Sequence, residues 1–139
     1  MSTAMANRPD TTTTVAEFIR FLETGVAPDG LFAPDVFADV TLPHWRVQAD
    51  TAEGLLAIRK EGHPVPGRVR VERIESTERG FTIEFEERWN DQGQQWYARE
   101  MGRADVESAT IVDLSIYCTG DWDEANQREH AKAVQLLRT

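Results

Sequence analysis

Residues 81–90 read Phe-Thr-Ile-Glu-Phe-Glu-Glu-Arg-Trp-Asn, and how this stretch is read decides the fold. Taken with a period of two, Phe81, Ile83, Phe85, Glu87 and Trp89 share one face, which is the alternation of a half-buried β-strand. The stretch is the second of four consecutive strands lying between Arg68 and Cys118. Residues 68–76 alternate Val69, Val71 and Ile74 with charged residues, and Gly80 turns the chain into Phe81. Asn90-Asp91-Gln92-Gly93 is a hairpin turn, after which residues 94–106 return. Glu107-Ser108 turns again into residues 109–119.

Outside this block the periodicity changes to helical. Thr14 followed by Glu17 is a capping-box signature, with Val15, Phe18, Ile19 and Leu22 at helical spacing and Gly25 as a stop. This predicts a first helix over 14–24. Pro28-Asp29-Gly30 is a turn, and Leu31-Phe32 is read as one short helical turn before Pro34. Residues 36–47 are β-branched and aromatic, but Pro43 cannot donate to a ladder, so this strand lies at an edge or breaks near Pro43. Asp50 with Glu53 caps a second helix whose buried stripe is Leu55, Leu56 and Ile58, ended by Gly62, Pro64 and Pro66. Asp121 and Asp123 cap a last helix with an apolar stripe of Ala125, His130, Ala133, Val134 and Leu137.

The totals narrow the classes of partner. A chain of 139 residues, 40% apolar and 28% charged, is the size and composition of one globular domain. A formal charge of −9 disfavours nucleic acid or an anionic membrane as the main partner. The single cysteine, Cys118, forms no intramolecular disulfide, and no apolar run reaches the roughly 18 residues of a membrane span. These features fit a cytoplasmic protein, with residues 1–12 expected as a disordered arm and 13–139 as a single domain. No metal-binding motif, phosphate-cradling glycine loop or nucleophile elbow is present, so neither a metal nor a cofactor is expected.

The order helix, short helix, strand, helix, then four long antiparallel strands resembles the nuclear transport factor two-like superfamily, and within it the SnoaL-like proteins. The pieces that carry the resemblance are Leu31-Phe32-Ala33-Pro34-Asp35, Pro43-His44-Trp45-Arg46, and Tyr117-Cys118-Thr119-Gly120-Asp121-Trp122-Asp123. The resemblance implies an α+β fold: a cone-shaped, curved antiparallel sheet wrapped around helices, with an apolar pocket at the cone mouth. It also implies a homodimer paired through the outer face of the sheet. Steroid isomerases, dehydratases, epoxide hydrolases, polyketide cyclases and non-catalytic proteins share this architecture, so the site must decide the function.

Glu87 is the most informative single residue, a carboxylate on an apolar face where burial raises its pKa and suits it to proton transfer. The competing reading is that the strand leaves the core at Glu87 and the side chain is wet. Asp113 and Tyr117 share a face of the last strand, and in steroid isomerases of the superfamily a Tyr and a protonated Asp donate to a developing oxyanion. The epoxide hydrolases carry an Arg and an Asp two positions apart; here Arg88 and Asn90 stand nearby, and Asn is no carboxylate. Arg99, on a face with Tyr97, Met101 and Arg103, is either a partner for Glu87, Asp113 or an anionic substrate, or half of a surface ion pair. His44, beside Trp45 at the expected bend, can titrate near neutral pH.

The sequence thus nominates Glu87, Asp113, His44 and Tyr117 for catalysis, and Arg99, Trp45, Phe85 and Trp89 for a small apolar ligand. The function expected is a cofactor-independent acid/base enzyme: an isomerase, cyclase, dehydratase or epoxide-opening enzyme. The alternatives are a non-catalytic ligand-binding or dimerising module and an interaction scaffold with a filled cone. Catalysis requires at least two candidates at a shared void; the binding module predicts that they diverge and that at most one is buried.

Overall fold

The computed structural model describes residues 9–139. The expected disordered arm falls outside these residues except at its end, where Thr11 stands at the N-cap position and Thr12 opens the first helix. That helix, α1 (Thr12–Thr24), leads to the hairpin β1 (Phe32–Leu42) and β2 (Trp45–Ala49), then α2 (Ala52–Gly62). Next come β3 (Gly67–Ser76), β4 (Gly80–Asp91), β5 (Gln94–Glu107) and β6 (Thr110–Cys118), and finally α3 (Glu124–Ala133). The strands form one curved, unclosed six-stranded sheet in the order β2-β1-β6-β5-β4-β3. All pairings are antiparallel except β1 with β6, so the sheet is mixed rather than wholly antiparallel.

The first two helices cover the concave side, α1 against β3 and α2 against β1 and β2, while α3 packs on β5. Between helices and sheet lie Phe18, Leu31, Val36, Phe81, Ile83, Phe85 and Ile111, all fully buried. Side chains of this size contribute about 1.5–3 kcal/mol each on burial. Among the described residues no helix is long and apolar enough to cross a membrane.

Four local expectations are corrected. Leu31-Phe32 is not helical: the Ile111 N–H donates to the Leu31 carbonyl and Phe32 pairs with Ile111, so ladder bonds to β6 override the local preference. Pro34 sits in the register shift between Phe32 and Phe37, where its missing N–H breaks no ladder bond. The first helix starts at Thr12, because the Thr14 hydroxyl, expected as a cap, is buried and donates to the Ala109 carbonyl. Thr51 rather than Asp50 caps α2, accepting from the Gly54 N–H at 3.0 Å. The last helix stops at Ala133 and buries no residue, leaving Leu137 exposed. The break at Pro43 takes the form of a two-residue turn, Pro43-His44, between the paired Leu42 and Trp45.

Candidate functional site

The site begins with a turn. Gln92 and Gly93 both take left-handed backbone conformations, φ 51° and 76°, and join Asp91 to its partner Gln94 in a two-residue hairpin. That turn fixes the β4–β5 register: Glu87 lies opposite Ala98, and Phe85 opposite Glu100. Glu87 and Glu100 are therefore diagonal neighbours on the concave face, within reach of each other's side chains. On the next strand Cys118 lies directly opposite Glu100. Gly102 stands beside Glu100 on this face, and a Cβ there would come within 2.6 Å of Ile116 Cδ1.

The counter-charge comes from α2. Arg59 follows Leu55 by four residues, so it shares the helix face turned toward the sheet. Its guanidinium grips Glu87 in bidentate fashion, Nη2 to Oε1 at 2.5 Å and Nη1 to Oε2 at 3.1 Å, and Nη2 also donates to the Leu22 carbonyl at 2.6 Å. One further turn places His63 after the helix end, its ring 4.2 Å from that of Trp89 and its Nε2 3.7 Å from Asp121 Oδ1. Asp121 arrives from the segment after β6, where Gly120 adopts φ 78° and turns the chain across the end of the sheet.

Burial acts on every group here, and the neighbours decide the outcome. Burial pushes the Glu87 carboxyl up, but hydrogen bonds from Glu100 and Arg59 outweigh it and hold its pKa below the usual range. Glu100 feels the same burial, and the charge it shares a hydrogen bond with is Glu87, so its pKa rises well above the usual range. The pair thus favours a single negative charge, carried by Glu87, with the shared proton on Glu100. Asp121 is raised, first by burial and then by Glu87. His63 is pushed down to about 4 by burial and by Arg59, so its imidazole is neutral. Burial and Glu100 push the Cys118 thiol up to about 12, leaving it inert as expected of a core thiol. Arg59 Nε and Glu100 Oε2 are buried and have no hydrogen-bond partner among the described residues.

These groups form one end of a cavity of about 420 Å³ between sheet and helices. Its apolar wall comes from Phe18, Phe21, Leu22, Leu55, Leu114 and Ile116, and its polar end from Arg59, His63, Glu100, Cys118 and Asp121. Among the described residues no group of three or more His, Cys, Asp or Glu side chains is arranged to hold a metal ion.

The structure separates the residues nominated from the sequence. Glu87 is buried, its charge committed to Arg59, and it stands behind the cavity wall rather than in it. Trp45 lines the cavity from β2 while 73% exposed. Phe85 lies in the closed core, and Trp89 packs behind His63 without lining the cavity. Asp113, Tyr117 and Arg99 are on the convex face: Arg103 binds Asp113 at 3.0 Å, Arg99 binds Glu72 at 2.7 Å, and Tyr117 is exposed. His44 is exposed in the Pro43-His44 turn.

Polar cavity groups that were not nominated include Arg59, His63, Glu100 and Asp121. Glu100 carries the same signal that marked Glu87, a lone carboxylate in the small and apolar row Ala98, Gly102, Ala104 and Val106. Arg59 is legible as the charged member of a helical stripe. His63 follows Arg59 by one helical turn, whereas nothing in the sequence places Asp121 beside them.

No protein-family model and no curated protein matches the chain. Among solved structures, an NTF2-like protein from Anabaena variabilis superposes with a TM-score of 0.64 at 16% identity, over 78% of this chain and 86% of that one. IdmH from Streptomyces antibioticus, a candidate polyketide cyclase, gives 0.63 at 13% identity over 91% and 100%. An LEH-like epoxide hydrolase of M. tuberculosis gives 0.61 at 13% identity over 79% and 85%. Likeness at these identities shows the fold alone: the chain has the nuclear transport factor two-like fold, with three helices on a curved mixed sheet.

Proposed function

We propose that the protein is a small, cofactor-independent acid/base enzyme acting on an apolar ligand held in the 420 Å³ cavity. One observation carries this reading: Glu100, 8% exposed, lines the cavity with an unpartnered Oε2 beside a second carboxylate that Arg59 keeps ionised. Two carboxylates in contact cannot both ionise, so the wall of the cavity stores a proton at neutral pH. Glu100 is the proton donor and Asp121, at the mouth and 40% exposed, is the acceptor. Arg59 and Glu87 act as positioning residues, and neutral His63 holds the space between Asp121 and Trp89. Isomerisation, cyclisation, dehydration and epoxide opening all need this donor and acceptor pair. The cyclase and epoxide hydrolase among the structural relatives use the same fold for chemistry of this kind. The enzyme works in the cytoplasm as a homodimer paired through the convex face, where Met101 and Tyr117 are exposed.

The test is proton abstraction from nitrobenzisoxazole, a generic probe of a carboxylate in an apolar cavity. The base takes the carbon-bound proton, the N–O bond breaks, and a coloured phenolate leaves. Asp121→Asn is expected to lower kcat by about a hundredfold. Glu100→Gln is expected to change the pH profile of kcat. Rates indistinguishable from wild type in both variants overturn the reading, and light scattering of the purified chain reads the dimer.

A further inference from the structure

The acid/base reading leaves open which ligand atom receives the Glu100 proton, and the charges around the cavity answer it. Four carboxyl groups belong to its polar end: Glu61, Glu100 and Asp121 line it, and Glu87 adjoins Glu100 from behind. Among the described residues lining it, Arg59 is the single Lys or Arg. Its two terminal nitrogens are spent on Glu87 and on the Leu22 carbonyl. What the cavity has in surplus is acceptor oxygen, and what it lacks is a cation. Glu100 has no counter-charge of its own, and its Oε2 meets no donor among the described residues.

We propose that the cavity is built for an apolar amine, its nitrogen held as ammonium between Glu100 and Asp121 and its hydrocarbon body along Phe18, Phe21 and Ile116. This deepens the acid/base reading and rests on its choice of cavity. The step balances: the Glu100 O–H bond breaks, an N–H bond forms, and a carboxylic acid plus a free amine become a carboxylate and an ammonium. A ligand arriving from neutral water is already an ammonium, so reaching the same state expels the Glu100 proton to solvent. An ammonium in this place supplies the positive charge that an ionised Glu100 lacks beside Glu87 and satisfies the orphan oxygen. A carboxylate ligand meets the opposite conditions, with one unpartnered donor, Arg59 Nε, set among four acids.

The groups facing the nitrogen's position are Arg59 and Glu61 from α2, His63 from the following loop, Glu87 from β4, Cys118 from β6, and Asp121. His63 near 4 and Cys118 near 12 lie far from neutrality, so neither supplies the expelled proton. Three probes share one phenylethyl body and differ only in the head: phenethylamine, benzylacetone and hydrocinnamate. Isothermal titration of the whole chain at neutral pH, in two buffers of different ionisation enthalpy, reads affinity and proton release together. Phenethylamine is expected to bind at least about tenfold more tightly than either of the others and to expel about one proton. In Glu100→Gln the amine loses about tenfold in affinity together with its proton release, while benzylacetone binding persists and shows the cavity intact.

Equal or tighter binding of benzylacetone or hydrocinnamate, no binding of any probe, or unchanged amine binding in Glu100→Gln overturns the inference. Nitrobenzisoxazole turnover in the same preparation keeps the two readings apart. Turnover without amine binding removes the amine and leaves the enzyme; amine binding without turnover does the reverse.

Discussion

The two faces of the sheet are built from the same ion-pair chemistry and reach opposite results. On the convex face Glu86 is 9% exposed, close to the 8% of Glu100 on the concave face, although Glu100 lies deeper in the protein. Tyr97 donates to one Glu86 oxygen and Arg70 to the other at 2.7 Å, and these bonds hold its pKa low against the burial that raises it. Glu100 has as its neighbour another carboxylate, and its pKa climbs. Deeper burial and a like-charged neighbour in place of a cation together make Glu100 the unusual acid. The convex arginines are also exposed in a way Arg59 is not. Arg70, Arg99 and Arg103 have side chains 54%, 56% and 45% exposed, against 13% for Arg59, so water screens their pairs and leaves the inner one unscreened.

The largest test of that contrast removes one arginine from each face. Arg59→Met strands the buried Glu87 charge and is expected to cost about 3–5 kcal/mol in urea denaturation. Arg103→Met, which leaves Asp105 and Asp113 near water, is expected to cost less than about 1 kcal/mol. Equal losses would break the distinction between the faces.

Acid titration probes the concave face next. His63 falls from its ordinary 6.5 to about 4 in the folded protein. Its contribution is therefore complete above pH 6.5 and lost as pH drops toward 4, by up to about 3 kcal/mol. An NMR titration of its ring protons with a midpoint above 6 rules this out. Glu100 has the opposite sign, because its folded pKa lies above the ordinary 4.5. Wild-type stability is favoured below 4.5 and declines as pH rises through the elevated folded value, whereas Glu100→Gln lacks that decline. Unfolding midpoints of the two proteins across the neutral range measure it, and parallel curves count against a protonated Glu100. The smallest effect belongs to the convex face: Tyr97→Phe removes one donor from Glu86 while Arg70 stays, for about 1 kcal/mol.

Much of this was legible because strand and hairpin signals are local. The alternation of Phe81, Ile83, Phe85, Glu87 and Trp89 put these five on one face and left open whether Glu87 is inward or wet; the fold buries it. Pro43 marked the break between β1 and β2, and Gly25, with φ 77°, ends α1 as read. Where reading and structure part, the cause is parity. Tyr97, Arg99, Met101 and Arg103 share one face of β5, and only pairing with β4 shows that their face is convex and that Glu100 is inside. By the criterion set for the polar residues first nominated, the binding module fared better: they diverge, and Glu87 alone is buried. The cluster that favours chemistry was assembled from other residues.

The sequence by itself determined the first two main helices and the block of four strands with its turns, because each depends on residues within about ten positions of one another. Tertiary structure alone decided the site. Arg59 with His63, Glu87, Glu100 and Asp121 come from four separate segments, and whether a buried acid keeps its proton depends on which charge happens to touch it. That contact is made across strands and between sheet and helix, where no local pattern in the chain records it.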